Sequence, residues 1–595
     1  MNGAAAFAPI WVALAGALVN VALNWFAWRS GTVPHLSPDF PWMTPLPLLV
    51  PAMLAAVIIA AARRRAIIAR VLVFAAGALV GFDLALKVPG MAHYAAAVLG
   101  AGLGVQLARI ATSPGAAFER ILRRSFVPLA VGLGVLVLGA TLDTRATPQA
   151  VAGTPRPGAP NVIVVTLDTV RAGHLSLYGY GRDTSPNVRA FAGRGVTFDA
   201  AFSAAPWTLP SHASMFTGRW PHELSANYDV PLDAATPTLA EFFSARGYAT
   251  AGFVSNLQYC GRTSGLSRGF GHYEDYPRSI GSVVSCSVSA KAVVNNFRLR
   301  RLIGNDQHTD RVDASEINAR ALAWLEDQGD RPFMMFLNYF DAHEPYLPPP
   351  PYDRAFGPGR AHGRFSPLHH WGWNPAFNHR PLTAAEQEEE IDAYDGSLKY
   401  LDFRFGEFLQ ALDRDGRLAN TIVVITADHG EEFAEHGVYE HGYTLYHAGV
   451  HVPLVFVAPG LPAGVRIPTP VSVRDLAATV AALADATASS AFPGHSLAAH
   501  WQLPAGEARS SPAFSTVRRP PGQPDWFPVS KGDMQALTTD DGLRYIVNGD
   551  GREELYDLAA DPAEKDDLVQ RPERRAQLEA ARAAVASLLA GREGR

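Results

Sequence analysis

Cysteine is scarce throughout this 595-residue chain and charge is scarce in its first quarter, and each shortage closes off a class of explanation. Two cysteines, Cys260 and Cys286, exclude a disulfide framework and a cysteine-built zinc site, since both need clustered thiols. One bridge closing the loop between them, or two buried thiols, both stay open. A net charge of -5 with no basic, aromatic-rich patch excludes nucleic acid as a partner. The absence of an internal repeat or low-complexity tract excludes a solenoid or a long disordered tail. No basic leader precedes the first apolar stretch and four more stretches follow it, which argues against a cleaved signal peptide.

The shortage of charge is concentrated in the first quarter, and it divides the chain into a membrane part and a soluble part. Apolar stretches run from about Phe7 to Trp28, Leu46 to Ala62, Val71 to Leu86, Met91 to Leu107 and Phe126 to Leu142. Each approaches the ~20 residues that cross a bilayer core as a helix. Arg63, Arg64, Arg65 and Arg70 lie between the second and third stretches, and Arg109, Arg120, Arg123 and Arg124 between the fourth and fifth. The positive-inside rule puts both clusters and the N-terminus in the cytoplasm, so an odd number of spans delivers everything after residue 145 to the far side of a plasma (inner) membrane. Trp25, Trp28 and Trp42 stand where an interfacial aromatic belt belongs. Asn20, Asn24 and Asp83, within or at the ends of spans, are functional candidates by position, but they read first as helix contacts or interface positions and take no assigned role.

Residues 144–160, TRATPQAVAGTPRPGAP, read as a partly extended tether. Beyond it, the apolar runs Val162 to Leu167, Phe333 to Leu337, Thr421 to Ile425 and Leu454 to Val457 have the length and β-branched content of buried parallel strands. Ile391, Tyr394, Leu398, Leu401, Phe405, Leu409 and Leu412 recur every three or four residues on one helix face, with Asp395 and Lys399 paired on the other side. Strands alternating with helices predict an α/β sheet covered on both faces. After about residue 505, a proline-rich stretch leads to strand-like pieces around Met534 to Thr538, Leu543 to Val547 and Glu554 to Leu558, then a charged helix from about Pro572. The expected organisation is a five-helix membrane domain over 1–143, a linker over 144–160, an α/β catalytic domain over 161–505 and a small antiparallel α+β subdomain over 506–595.

Open parallel sheets bind ligands beyond the carboxyl ends of their strands. Three polar clusters stand at such places: Asp168 after Leu167, Asp341 and His343 after Phe340, and Asp428 and His429 after the run from Thr421 to Ala427. Singly, each is a plausible turn or helix cap. Together, carboxylates and imidazoles on stiff strands are what a metal site needs. A fourth feature is the run from Thr208 through Pro210, Ser211 and His212 to Gly218, which opens a helix whose N-terminal amides can receive an anion.

Five blocks carry a family resemblance: NVIVVTLDTVRAGHLSLYGYGRDTSPNVRAFAGRGVTF, WTLPSHASMFTG, NYFDAHEPY, TIVVITADHGEEFAEHGVYEHGYTLYHAGVHVPLVF and ELYDLAADPAEKDDL. In this order, over roughly residues 161–570, they resemble the sulfatase branch of the alkaline phosphatase superfamily. The resemblance implies that Asp168, Asp428 and His429 bind a metal together with the Thr208 hydroxyl, that Thr208 is the nucleophile, and that His343 and His441 contact the oxyanion or leaving group. His212 occupies the substrate-contacting position where these enzymes usually have arginine.

The departures matter as much. Thr208 stands where a sulfatase has the cysteine that becomes formylglycine, a conversion threonine cannot undergo. Asp168-Thr169 replaces two adjacent aspartates, Asp428-His429 replaces Asp-Asn, and the segment from Ala251 to Asn256 lacks the family's Lys-Trp-His block. Two carboxylates, a hydroxyl and an imidazole suit zinc or manganese better than calcium or magnesium. Such a set resembles lipoteichoic acid synthases and phosphoethanolamine transferases, which place a threonine nucleophile after five membrane spans. The expected activity is metal-dependent attack by Thr208 on a phosphoester carried by a lipid, glycan or small molecule near the bilayer, with transfer to water or an acceptor. Asp341, His343 and His441 could hold a second metal. The rival functions are sulfuric ester hydrolysis and non-catalytic binding of an envelope glycan or lipid.

Overall fold

The computed structural model of the chain describes residues 4–30, 38–62, 65–88, 91–112, 116–144, 153–276, 283, 286–288, 311–359, 368, 380–488, 490–503, 507–509, 511–520 and 522–591. Arg63 and Arg64 of the first basic cluster, and residues 145–152 of the tether, lie outside them. The chain divides into two compact units, Met1–Pro148 with Tyr276–Arg311, and Gln149–Asp275 with Val312–Arg595.

Five helices of the first unit are long and apolar enough to cross a membrane: Phe7–Arg29, Phe40–Ala61, Ala66–Leu86, His93–Ala111 and Glu119–Thr144. Val57, Ile67, Val98, Val131 and Leu142 stay exposed on their outer faces, as lipid-facing side chains do. The third and fourth helices approach closely through glycines four apart on each. An added Cβ would come within 2.5 Å of the Ala78 carbonyl from Gly100 and within 2.5 Å of the Phe74 carbonyl from Gly104. Small residues at this spacing let helix backbones touch where no hydrophobic force draws them together. The buried polar side chains pair as expected: Asn20 donates to Asp83 at 2.5 Å, Ser287 to Asp83 at 2.8 Å, Asn24 to Thr44 at 3.1 Å and Lys87 to Asn24 at 2.6 Å.

The second unit is built on a mixed sheet in the order Val465–Ile467, Val196–Phe202, His451–Val457, Thr421–Thr426, Asn161–Leu167, Phe333–Tyr339, Ala249–Val254 and His272–Glu274, with Val471–Ser472 also paired to Val196–Phe202. The four strands at its centre are parallel and buried along nearly their whole length, as their unbroken apolar sequences require. Their register positions the site. Thr166 lies opposite both Asn338 and Thr426, and Val254 lies opposite Asn338. Residues two steps further along these strands, Asp168, Asp428 and Asn256, therefore emerge together at one edge.

Two expectations are corrected. The run Leu454 to Val457 is a strand, but it pairs antiparallel to both neighbours; a continuous apolar run records burial on both faces and carries no direction. Asp395 is also not an exposed partner of Lys399. It is fully buried, receiving the Tyr180 hydroxyl and Arg182 at 2.8 Å and facing His174 at 2.7 Å. The long helix bearing it, Ala384–Arg414, starts at a Thr383–Glu386 capping box and buries Tyr394, Leu398, Leu401, Phe405, Leu409 and Leu412.

The C-terminal pieces form a four-stranded antiparallel sheet whose first strand, Ala513–Val517, comes from beside the proline-rich stretch. The helix Arg575–Leu589 buries Leu578, Ala581, Val585 and Leu588 in one cluster with Phe514, Leu537, Tyr545 and Leu555. Each large aliphatic side chain buried in this way contributes about 1.5–3 kcal/mol. Cys260 belongs to the core of the catalytic unit and Cys286 to the membrane unit, and they form no disulfide.

Candidate active site

The helix Thr208–Thr217 begins at the nucleophile candidate itself. Trp207 is still extended, with φ -141° and ψ 140°, and Gly218 ends the helix in the left-handed region at φ 68°. Thr208 is 1% exposed, and its Oγ1 lies 3.3 Å from His429 Nε2. The motif's serine acts as a fastener. Ser211 Oγ donates to the Asp428 carbonyl at 2.6 Å, and Ser203 Oγ donates to the same carbonyl. The loop carrying Asp428 and His429 is thereby held against the first turn of the helix.

Asp168, Asp428 and His429 are fully buried, and one donor atom from each lies within 4.8 Å of the others. His429 Nδ1 donates to the Gly430 carbonyl at 3.0 Å, leaving the Nε2 lone pair turned toward Thr208 and 3.4 Å from Asp428 Oδ2. Asp428 Oδ2 and Asp168 Oδ1 are buried oxygens that no hydrogen bond from a described residue satisfies. Burial, and for Asp168 also the neighbouring Asp428, pushes the Asp168 carboxyl up to about 8 and that of Asp428 up to about 7. Burial and the adjacent His441 lower His429 to about 4. Lone pairs this crowded, with their protonated and charged forms both penalised, are the surroundings a divalent cation relieves. The residues therefore fit a metal held by Asp168, Asp428, His429 and the Thr208 hydroxyl.

The trio is braced by residues the sequence did not single out. Asn256 Nδ2 donates to Asp168 Oδ2 at 2.9 Å and lies 3.4 Å from Thr208 Oγ1, while Asn338 Nδ2 reaches Asp168 Oδ2 at 3.3 Å. Thr169, a β-branched residue held at φ 60°, turns its N–H to Asp428 Oδ1 at 3.2 Å. Such backbone costs about 1–3 kcal/mol and is tolerated where it places a functional group. Asn256 could have been found from the strand pairing, since it lies two residues beyond Val254, as Asp168 and Asp428 lie two beyond the paired Thr166 and Thr426.

His441 stacks on His429 with ring centroids 4.3 Å apart, and His343 meets it edge-on at 5.0 Å. Both expected leaving-group histidines thus stand over the cluster. His441 is buried and lowered to about 4 by that burial. His343 is half-buried, rests on Phe340 and donates from Nδ1 to the Glu344 carbonyl at 2.8 Å. His212, expected to contact substrate, is instead a buried brace. Its Nδ1 donates to the Thr208 carbonyl at 2.8 Å and its Nε2 faces Thr166 Oγ1 at 3.0 Å, so both nitrogens are engaged inside the protein. The four-residue spacing puts His212 on the same helix face as Thr208, one turn further in, with its ring tilted back onto the Thr208 carbonyl. Among the described residues the only metal-type grouping is Asp168, Asp428 and His429; Asp341 instead accepts the Ala314 N–H at 3.2 Å.

The sulfatase family model matches residues 160–486. Arylsulfatase K of Rattus norvegicus is 26% identical over 439 residues, covering 68% of this chain and 74% of that protein. An uncharacterized sulfatase, YidJ, of Escherichia coli is 24% identical over 442 residues, covering 69% of this chain and 83% of that protein. Among solved structures, a phosphonate monoester hydrolase of Agrobacterium radiobacter superposes with a TM-score of 0.55 at 21% identity, covering 73% of this chain and 96% of its own. A match spanning more than half the chain, with the fold in agreement, makes this protein a member of the sulfatase family, an enzyme of the alkaline phosphatase superfamily.

Proposed function

We propose that this enzyme is a membrane-anchored phosphoester hydrolase or transferase in which Thr208 is the nucleophile. The observation that carries the reading is Thr208 Oγ1 itself, an unconvertible hydroxyl at the family's nucleophile position, within hydrogen-bond reach of His429 Nε2 at 3.3 Å and beside two buried carboxylates. A bound zinc or manganese ion would lower the pKa of the threonine hydroxyl and offset negative charge on the phosphoryl group. Thr208 Oγ then forms a bond to phosphorus as the bond to the leaving oxygen breaks. The first-turn amides of its helix face the added charge, Asn256 holds Asp168 and Thr208 in register, and His441 carries the proton to the leaving oxygen. Water or an acceptor alcohol releases the group from Thr208 in the second step. The phosphonate ester named for the Agrobacterium neighbour belongs to the same chemical class as this substrate.

The basic residues Arg70, Arg109, Arg120, Arg123 and Arg124 support an orientation with the N-terminus in the cytoplasm and the catalytic unit outside, facing lipid- or glycan-borne esters. Protease added to sealed, right-side-out vesicles would then cleave the catalytic unit; complete protection would reverse the orientation.

A second reading, sulfuric ester hydrolysis, is favoured by the arylsulfatase K relatives. The full chain in detergent, supplied with zinc or manganese, separates the two on matched aryl phosphodiester, phosphomonoester and sulfate substrates. Phosphoester turnover exceeding sulfate turnover is expected, and sulfate turnover alone overturns the proposal.

A further inference from the structure

Residues 276–311 are spliced between two elements of the catalytic unit, the edge strand His272–Glu274 and the helix Ala314–Glu326, yet they belong to the membrane unit. The chain therefore enters the membrane unit twice, once before the tether and once from within the catalytic half. Cys286 and Ser287 show what the second visit contributes. Both are 2% exposed. Ser287 Oγ donates to Asp83 Oδ1 at 2.8 Å across 204 residues of chain, and the Cys286 carbonyl accepts Asn24 Nδ2 at 3.2 Å. The Cys286 side chain packs on Phe40, with Trp25, Trp28 and Met43 around the pair.

The groups this segment meets come from three different helices. Asn24 lies in Phe7–Arg29, Thr44 in Phe40–Ala61 and Asp83 in Ala66–Leu86, and all three side chains are buried. They sit at the end of the bundle from which the last helix delivers the chain to the tether, for Trp25 Nε1 donates to Asp143 at 2.7 Å and Thr144 Oγ1 donates to the Pro38 carbonyl at 2.7 Å. A carboxylate and a carboxamide within apolar helices are costly unless their polar atoms find partners. Asn20 serves Asp83 Oδ2, and Thr44 and Lys87 meet Asn24. Ser287 serves Asp83 Oδ1, so the apolar helices draw part of their polar pairing from a segment that the catalytic half sends back. Contacts sealed among apolar side chains are screened far less by salt than surface contacts are.

We propose that the segment carrying Cys286 and Ser287 is a second, noncovalent attachment, docked among Asn24, Thr44 and Asp83, that holds the catalytic half of the chain to the membrane helices independently of the tether. The two attachments reinforce each other, because while the tether is intact a dissociated segment rebinds at high effective concentration rather than by a bimolecular encounter. A tether rich in proline, glycine and alanine limits distance but holds nothing in place. The attachment concerns neither the substrate nor the role of Thr208.

The test cuts the tether. The full chain, carrying an N-terminal affinity tag and a protease site inserted between Gln149 and Ala150, is cleaved in mild detergent, bound through the tag and washed with high salt. The catalytic fragment should stay on the resin with the tagged helices. Cys286→Arg forces a charge into the aromatic cluster and should raise the released fraction about 10-fold. Ser287→Ala deletes one hydrogen bond and should raise it about 2–3-fold. Both are read on protein whose catalytic unit keeps the parent's melting temperature. Thr44→Cys keeps the test open if Cys286→Arg does not fold: it puts a thiol beside that of Cys286, whose side chain reaches Thr44. Mild oxidation should then join the two cleaved fragments through a disulfide, and reduction should part them. Release of the parent fragment on cleavage, retention undiminished in folded Cys286→Arg, or failure of the Thr44→Cys protein to cross-link overturns the proposal.

Discussion

Asn24, Thr44 and Asp83 in the membrane unit are as deeply buried as Asp168 and Asp428 in the catalytic unit, but the two sets treat their hydrogen-bonding capacity differently. In the membrane unit these side chains meet one another, with Asp83 receiving Asn20 and Ser287, and Asn24 giving to Thr44 and receiving Lys87, and of these groups Asn20 Oδ1 alone has no donor among the described residues. In the catalytic unit, Asp168 Oδ1 and Asp428 Oδ2 have no such donor among the described residues, although amides and hydroxyls all around them are spent on the other oxygens and on the backbone. Mutually satisfied polar groups hold a fold together, and their removal should cost stability. Buried carboxylate oxygens left without a donor, beside an imidazole nitrogen that meets the Thr208 hydroxyl, are held ready for something else, and their removal should cost activity.

That contrast can be broken by mutation, in decreasing order of effect on turnover. Thr208→Ala should reduce kcat by about 10³-fold or more while leaving the thermal midpoint close to that of the parent, because the nucleophile has no substitute. Asp428→Asn removes a charged ligand but keeps the shape. It should abolish rescue of chelator-treated enzyme by zinc or manganese, read both by metal analysis of the purified protein and by the loss of a metal-dependent rise in melting temperature. Asn256→Ala deletes one brace of Asp168 and should weaken metal affinity about 10–100-fold, the usual cost of losing an outer hydrogen-bond partner, so excess metal should restore part of the activity. Asp83→Ala should leave kcat on a soluble ester unchanged while lowering the stability of the membrane unit by about 1–2 kcal/mol, measured by denaturation in detergent. A loss of turnover from Asp83→Ala in folded protein would erase the distinction between the two regions.

The sequence discloses the parts of this arrangement that depend on local pattern. Apolar stretches mark the five helices long and apolar enough to cross a membrane, and polar residues after apolar runs mark Asp168, Asp428 and His429, because a strand end fixes where its next residues emerge. Thr208 is legible from the punctuation around it. What depends on pairing between distant segments is not. The direction of the strand His451–Val457 is set by its neighbours, and a buried run reads the same in either sense. Asn256 stands out in the sequence only within a departure from a family block, since its role arises from the register between its strand and Phe333–Tyr339. The motif position of His212 suggests a substrate contact, but the helix turn places it under Thr208, where Thr166 from another strand engages its second nitrogen. Asp395 reads as a surface charge because helical spacing alone does not show that Tyr180 and Arg182 close over that face.

The central claim, that Thr208 carries the transferred group, is tested most directly by trapping. The full chain in detergent with manganese is mixed with an aryl phosphodiester, quenched in acid during turnover and digested, and the peptide containing Thr208 is analysed by mass spectrometry. The predicted result is a phosphoryl adduct on Thr208 that appears during turnover and is absent from the Thr208→Ala protein. Turnover of the same ester by Thr208→Ala at the parent rate, with no adduct on Thr208 in the parent, would contradict the account.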